Sequence, residues 1–225
     1  MKGSSRGADI RGSIHTDIGA ETEGARRISA RSRALVLSEI GERTIEDRIK
    51  QRCAIAVGDL EMAKLLRFQH DPVTAGVQAL GVEAPIVTDI RMVQAGILRK
   101  GHRSTILCAL DYGGDLAEGE GITRTSAGFI ALGRRIDGAI LLIGNSPSAL
   151  ISVCELLERG RTPSLVIGVP VGFVNAAESK ELLRSKGVPS ISTEGTRGGT
   201  PVAVAAMNEI ITIHMEHRSD EGQSR

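Results

Sequence analysis

Apolar and polar positions alternate along the middle and the end of the chain in a pattern of short strands separated by helices. Apolar runs of strand length predict β-strands at residues 84–88, 104–110, 138–144, 164–170 and 189–193. Most of these runs are followed by Gly, Asp, Asn or Pro and then by helical spacing, which is typical of βαβ units. We therefore predict a three-layer α/β/α fold with a mainly parallel sheet of about five strands.

The first third of the chain has helical spacing instead. Three helices are predicted, at residues 28–40, 44–57 and 58–68. Thr44 and Asp47 have the spacing of a capping box for the second of them, with Asp in place of Glu. Asp71 and Pro72 predict the N-cap and first turn of a further helix. We expect this helical segment to pack on the sheet or to form part of a ligand wall.

The two ends of the chain are polar and rich in small residues. We predict a loose arm or cloning remnant over residues 1–24, one domain over residues 25–217 and a frayed tail over residues 218–225. The chain has three Phe, one Tyr and no Trp. Its core is therefore expected to be aliphatic, which suits parallel strands that are covered by helices.

Net charge and cysteine spacing argue against several classes of protein. The formal net charge is +1 with acids and bases interleaved, unlike the one-sided basic surface of a nucleic-acid-binding protein. No apolar run reaches the length of about 18 residues that a membrane span needs, and the opening MKGSSRGADIRGS lacks the apolar core of a signal peptide. Cys53, Cys108 and Cys154 follow no metal-binding spacing and are expected to be reduced. These features predict a cytoplasmic protein.

The turns after the predicted strands carry the candidate chemistry, because ligands of open α/β sheets bind beyond the carboxyl ends of the strands. Glycines in these turns let a ligand approach the backbone, and the following helices offer N–H groups that suit anions. Arg124 and Arg197 add guanidinium groups that match carboxylates or phosphates. Together the turns favour a large polyanionic ligand, although helix capping alone also explains any single turn.

Common catalytic and nucleotide motifs are absent from the sequence. It has no GxGxxG after the first predicted strand, no GxxxxGK[ST] and no GxSxG elbow. Glu118 and Glu120 lie in a Gly-rich loop and are expected to be solvated. His214 and His217 are close in sequence but fall near the end of the last helix, so no metal site is predicted.

Six segments, in order, resemble the precorrin-8X methylmutases, also called precorrin isomerases, of cobalamin synthesis. The segments are ISARS from residue 28, TDIRMVQAGI from 88, ITRTSAG from 122, GNSPSAL from 144, PVGFVNAAESK from 170 and GTRGGT from 195. The PVGFVNAAESK run is the most specific of them. The resemblance extends from about residue 28 to residue 213.

The resemblance implies a homodimer with a deep pocket at or near the subunit interface that binds precorrin-8X or cobalt-precorrin-8. The family's reaction moves a methyl group from C11 to C12 of the corrinoid ring and needs no redox or metal cofactor, because bonds rearrange within the substrate. The substrate-binding residues that the resemblance implies are Arg31, Ser32, Thr88, Asp89, Thr123, Arg124, Gly144, Asn145, Gly172, Phe173, Gly198, Gly199 and Thr200.

The resemblance also implies a catalytic histidine about three residues before a Gly-Asp pair, and Ile55 stands at that place. Isoleucine cannot transfer a proton, and general acid–base help contributes about 10²–10⁴-fold to rate. Asp59, four residues later and expected on the same helix face, is the first candidate for a substitute acid. His70 and His102 are further candidates, and the catalytic residue stays open.

Three functions are compatible with the sequence. The first is a methylmutase with a relocated acid or with catalysis that depends on pocket electrostatics. The second is a non-catalytic protein that holds a tetrapyrrole for another enzyme, and the third is a homologue that binds a different tetrapyrrole or polycarboxylate. The family motifs make the methylmutase the leading hypothesis, and Ile55 is the residue that favours the other two.

Overall fold

A six-stranded sheet lies between two layers of helices in the computed structural model, which describes residues 22–223. The helices over these residues are α1 (Glu23–Ile40), α2 (Ile45–Val57), α3 (Glu61–Leu65), α4 (Pro72–Gly81), α5 (Arg91–Gly96), α6 (Gly114–Glu120), α7 (Arg124–Leu132), α8 (Pro147–Glu158), α9 (Ala176–Arg184) and α10 (Thr200–Gln223). The strands are β1 (Leu66–Gln69), β2 (Ile86–Thr88), β3 (Ile106–Cys108), β4 (Ile140–Ile143), β5 (Leu165–Gly168) and β6 (Ser190–Thr193).

The strand order in the sheet is β1-β6-β5-β4-β2-β3. All neighbouring strands are parallel except β1, which pairs with β6 in the antiparallel sense. The central strands β4 and β5 are buried along their whole length. This explains why their sequences are continuous apolar runs, as is usual for a sheet covered on both faces.

Side chains of β4 alternate between two hydrophobic cores, one on each face of the sheet. Ile140 and Leu142 pack with apolar residues of α2, α4, α5 and α10. Leu141 and Ile143 pack with residues of α7, α8 and α9. Because successive side chains of a strand point to opposite faces, each face receives its own helical layer. The predicted three-layer α/β/α class is confirmed.

Residues 66–69 form strand β1 and not the end of the helix predicted over residues 58–68. Leu66 pairs with Thr193 of β6, and the Arg67 guanidinium forms an ion pair of 2.6 Å with Glu194. Helical spacing in this run is overridden because β6 offers an open sheet edge to pair with, which exists only in the folded chain. The sheet therefore has six strands, one more than predicted.

The starts of α2 and α4 were both predicted from the sequence. The Thr44 hydroxyl accepts from the Asp47 N–H at 3.3 Å, and an Asp47 carboxylate oxygen accepts from the Thr44 N–H at 3.0 Å. The predicted capping box of α2 is thus confirmed. Helix α4 begins at Pro72 as predicted, but Asp71 has a left-handed backbone with φ of 50° and makes no side-chain cap.

The described chain reaches into both segments that were predicted to be loose. Helix α1 begins at Glu23 and α10 continues to Gln223, whereas residues 1–21 and 224–225 lie outside the described part. The three cysteines are buried and unpaired, and burial raises the pKa of Cys53 and of Cys154 to about 12. Between residues 22 and 223, no helix is long and apolar enough to cross a membrane.

Candidate functional site

The carboxyl ends of β2 to β6 meet at one edge of the sheet, because these five strands are parallel. The turns beyond them bring together most of the residues predicted to bind substrate. We call this region the carboxyl edge, and it consists of residues 88–90, 123–124, 144–146, 170–175 and 194–200.

Thr88 and Asp89 are buried and fasten the carboxyl edge from within. The Thr88 hydroxyl donates to the Leu107 carbonyl at 3.2 Å. The Asp89 carboxylate accepts from the backbone N–H groups of Asn145 at 2.7 Å and Ser146 at 3.0 Å. Burial raises the pKa of the Asp89 carboxyl, and these N–H donors act against that rise. Both side chains are therefore occupied by the protein's own backbone.

A cluster of hydroxyl groups joins the starts of α7 and α8. Thr123 is the N-cap of α7, and its oxygen accepts from the Ser126 N–H at 3.2 Å. The Thr123 hydroxyl also lies 2.9 Å from that of Ser148, and the Thr125 hydroxyl lies 2.8 Å from that of Ser146. The two helix N-termini are thereby held side by side, with Thr123 exposed at the surface.

Arg124, at the first position of α7, is an exposed cation of the carboxyl edge. One of its guanidinium nitrogens donates to the Leu110 carbonyl at 3.4 Å. Among residues 22–223 it has no carboxylate within ion-pair distance, whereas the neighbouring Arg91 is paired with Asp111. The Arg124 guanidinium is thus open to an anionic ligand.

Glycines bring the backbone turns of the carboxyl edge into direct contact. A Cβ on Gly144 would lie 3.1 Å from the Thr200 Cα, at the start of α10. A Cβ on Gly198 would lie 2.2 Å from the Val169 carbonyl oxygen, which accepts from the Gly199 N–H at 2.7 Å. A larger residue at position 198 would force these turns apart, whereas one at position 144 would require its neighbours to shift by a few tenths of an ångström.

Lys180 is a site-supporting residue that sequence reasoning missed. It is fully buried on α9, and its ammonium nitrogen lies 3.0 Å from the Thr193 hydroxyl and 2.7 Å from the Arg197 carbonyl. Burial lowers the pKa of Lys180 to about 8, with a smaller contribution from Arg184. Its helical spacing from Ala176 and Leu183 would have placed it on the buried face.

Ile55 and Asp59 lie where the end of α2 meets the carboxyl edge. Gly58 ends α2 in a left-handed conformation, so the prediction that Asp59 continues the helix face of Ile55 is wrong. Asp59 instead forms an ion pair with Arg197 and accepts from the Glu61 N–H at 2.9 Å. In the single chain the Asp59 carboxylate is therefore held by Arg197 and by the backbone. Ile55 is 36% exposed.

The two histidines considered as substitute acids lie at the opposite, amino edge of the sheet. His70 follows β1, whose antiparallel direction carries it away from the carboxyl ends of the other strands. His102 precedes β3 and lines a cavity of about 610 Å³ with His214 and His217. Neither His70 nor His102 is therefore placed to act at the carboxyl edge.

Large apolar side chains are exposed at or beside the carboxyl edge. They are Ile55, Leu60, Met92, Ile122, Val171, Phe173 and Val174. Phe173 is 96% exposed, in a turn that the Gly172 N–H joins to the Thr196 carbonyl at 3.1 Å. Val171, Phe173 and Val174 follow closely in one turn, and neighbouring exposed apolar side chains are typical of interaction surfaces.

Arg31 and Ser32 are the two predicted substrate-binding residues that lie outside this region in the single chain. Both are on α1, which packs mainly against α2. Arg31 is exposed and Ser32 is half-buried. Their predicted contact with substrate has no support from the geometry of one chain.

The fold and the site define an α/β protein with an open, partly apolar and partly cationic surface at the carboxyl edge of its sheet. The family model described as CbiC: Precorrin-8X methylmutase matches residues 27–213. The chain belongs to the precorrin-8X methylmutase family, as its motifs predicted.

Named relatives and a solved structure agree with this membership. The chain is 42% identical over 207 residues to a cobalt-precorrin-8 methylmutase of Methanocaldococcus jannaschii, covering 86% of this chain and 96% of the relative. It is 36% identical over 173 residues to a precorrin-8X methylmutase of Pseudomonas aeruginosa, covering 74% and 83%. A crystal structure of the precorrin-8X methylmutase from Thermus thermophilus superposes with a TM-score of 0.78 at 32% identity, covering 85% and 97%.

Proposed function

We propose that this protein binds precorrin-8X or cobalt-precorrin-8 at the carboxyl edge and shifts a methyl group from C11 to C12 of the ring. Family membership over residues 27–213 supports the reaction, and relatives bear both substrate names. A cytoplasmic location is part of the same proposal, and the unpaired state of all three cysteines agrees with a reducing compartment.

The observation that carries the proposal is the combination, at one edge, of exposed apolar side chains and a guanidinium that has no ion pair with residues 22–223. A corrinoid has an apolar ring plane and carboxylates around its periphery. Phe173 and Val174 offer the apolar surface for the ring, and Arg124 offers a charged donor for a carboxylate. The carboxyl edge therefore matches a corrinoid both in its apolar surface and in its charge.

The protein's part in the proposed reaction is to hold the ring and stabilise charge. The methyl migration breaks one carbon–carbon bond and forms another inside one molecule, so substrate and product contain the same atoms. Positioning and fixed donors lower the barrier of such a step without a co-reactant. Ile55 supplies no proton, and Asp59 is committed to Arg197. We therefore infer a methylmutase that depends on pocket electrostatics and turns over slowly.

The test is an absorption spectrum of the purified protein mixed with precorrin-8X or with cobalt-precorrin-8 and followed over time. Conversion to the product chromophore is the expected result. A bound spectrum that never changes would contradict the methylmutase and identify a non-catalytic corrinoid holder. Failure to bind either compound in a separate affinity measurement would reject the corrinoid as ligand.

Replacing Ile55 tests whether the protein lacks only a proton donor. Ile55→His is expected to raise turnover by about 10²–10⁴-fold, the usual contribution of a general acid. The matched control Ile55→Leu keeps an apolar side chain and is expected to leave turnover unchanged. No gain in Ile55→His, in a variant that still binds the corrinoid, would show that position 55 does not face the reacting atoms.

We infer further that two copies of the chain associate through α1. This helix has 18 residues and a length of about 27 Å at 1.5 Å per residue. Ile28 is 74% exposed and Leu35 63% exposed, and they lie two turns apart on one side of the helix. Association through this side would cover both side chains and bring Arg31, which lies between them, to the interface.

A further inference from the structure

Lys180 is a buried amine that, when charged, has one N–H donor more than the acceptors found around it among residues 22–223. Two neutral acceptors are within reach, the Thr193 hydroxyl at 3.0 Å and the Arg197 carbonyl at 2.7 Å. An ammonium has three N–H donors, whereas a neutral amine has two. Within the described chain no carboxylate forms an ion pair with Lys180. The neutral amine is therefore the form whose N–H donors are all matched by these acceptors.

The acceptors of Lys180 lie at the end of β6 and in the turn that follows it, which consists of residues 194–200. The Thr193 hydroxyl itself donates to the Arg197 carbonyl at 2.7 Å, so that this one carbonyl is held by two donors. From the same turn, the Thr196 carbonyl accepts from the Gly172 N–H at 3.1 Å, and the Arg197 side chain pairs with Asp59. Lys180 thus holds the turn that connects the end of α2 to the Phe173 loop.

The charged groups on the elements around Lys180 have partners of their own or face solvent. They are Arg184, which donates to Ser192 and Thr193 of β6, Glu194 with Arg67, Arg197 with Asp59, Glu158 of α8 with Lys186, and the exposed Glu155, Glu178 and Glu181. Arg184 is the one whose field acts on Lys180 together with burial. The proton equilibrium of Lys180 is therefore governed mainly by its removal from water.

We propose that Lys180 is a positioning residue of the corrinoid site. As a neutral amine it holds the turn of residues 194–200, so that Arg197, Gly198 and Gly199 keep one arrangement. This inference rests on the proposed function. Opening of the turn admits water to Lys180 and lets it regain a proton, so proton binding and opening are linked. The closed turn gains stability as the pH rises from the folded pKa of about 8 towards the ordinary value of 10.5.

Amide hydrogen exchange of residues 194–200 measures this link without a substrate. After correction for intrinsic exchange with a peptide of the same sequence, opening of the turn is expected to be about tenfold rarer at pH 9 than at pH 7. Global unfolding also exposes Lys180, so the turn must open more readily than β4, in the centre of the sheet, for the exchange to report on the turn itself. Exchange of residues 194–200 that is as rare as that of β4, or that shows no pH dependence after correction, would overturn the positioning role.

Two variants separate Lys180 from other groups that titrate. Lys180→Met is expected to abolish the pH dependence of exchange in residues 194–200. Lys186→Met, which removes a lysine that pairs with Glu158 outside the turn, is expected to retain it. If Lys180→Met does not fold, the titration of the Lys180 side chain in the unchanged protein, followed by NMR, still tests the proposal. A midpoint near 10.5 would overturn it.

The affinity for a corrinoid then tests whether the turn positions residues of the binding site. In the unchanged protein the corrinoid dissociation constant is expected to fall between pH 7 and pH 9, whereas in Lys180→Met it is expected to stay constant over that range. A pH-dependent turn with a pH-independent dissociation constant would overturn the role in the site. If the unchanged protein binds no corrinoid at either pH, the proposed function fails and the site role fails with it, while exchange still reports whether Lys180 holds the turn.

Discussion

At the scale of single residues, Arg124 and Arg197 differ in what their guanidinium groups contact. Arg197 is paired with Asp59, and its backbone carbonyl is held by Lys180 and Thr193. Within the described residues, the Arg124 guanidinium donates to a backbone carbonyl at 3.4 Å and forms no ion pair. Arg197 therefore serves the architecture of the edge, and Arg124 is the residue that we expect to meet a substrate carboxylate.

Arg124→Ala is expected to weaken corrinoid binding by about 1.5–3 kcal/mol, the usual contribution of a hydrogen bond to a charged group. Absorption titration of the variant with either corrinoid measures the effect. Arg134→Ala is the matched control, since Arg134 is an exposed arginine just past the far end of α7. Equal affinity of Arg124→Ala and the unchanged protein would remove Arg124 from the site.

At the scale of elements, α2 determines where Ile55 and Asp59 stand. Its start is closed by the capping box of Thr44 and Asp47, and its end is closed by Gly58. Along its length, Arg52 of α2 forms an ion pair of 2.7 Å with the buried Glu209 of α10. Both ends and one side of α2 are therefore fixed, and the Ile55 position depends on this helix remaining intact.

Thr44→Ala is expected to lower the free energy of unfolding by about 1 kcal/mol, because one N-terminal N–H of α2 loses its acceptor. Urea denaturation measures the change. The control is Thr74→Ala at an exposed position inside α4, where alanine is the better helix former and no cap is lost. Equal stability changes in the two variants would show that the capping box does not stabilise α2.

At the scale of the whole molecule, α1 is a long helix with one main packing partner among residues 22–223. It packs mainly against α2, and most of its first half is exposed. An amphipathic helix normally buries its apolar stripe against another element. A second copy of the chain that covers Ile28 and Leu35 would satisfy this requirement, which is why we infer a homodimer.

The double variant Ile28→Glu and Leu35→Glu is expected to convert a dimer into a monomer, because four buried charges per dimer would oppose association. Light scattering after size-exclusion chromatography gives the mass directly. Val82→Glu, at an exposed position just beyond α4, is expected to leave the dimer intact. A monomeric unchanged protein, or a double variant that stays dimeric, would contradict association through α1.

Most of the sheet could be predicted because its strands carry their own pattern. The runs around β4 and β5 are buried on both faces and so are continuously apolar, and the turns after them carry glycines. Strand β1 could not be predicted, since its residues have helical spacing and become a strand only by pairing with β6. The end of α2 at Val57 was predicted correctly, but the left-handed backbone of Gly58, which takes Asp59 off the helix face of Ile55, has no signal in the apolar pattern.

The sequence by itself determined the fold class, the family and the replacement of the expected histidine by Ile55. These follow from local patterns and from motifs, which are properties of the chain in order. The tertiary structure alone decided that Asp59 pairs with Arg197, that Asp89 accepts from backbone N–H groups and that Lys180 donates to the Arg197 carbonyl. Each of these contacts joins residues that are distant in the chain and meet only when the sheet edge is assembled, so no local pattern of the sequence specifies it.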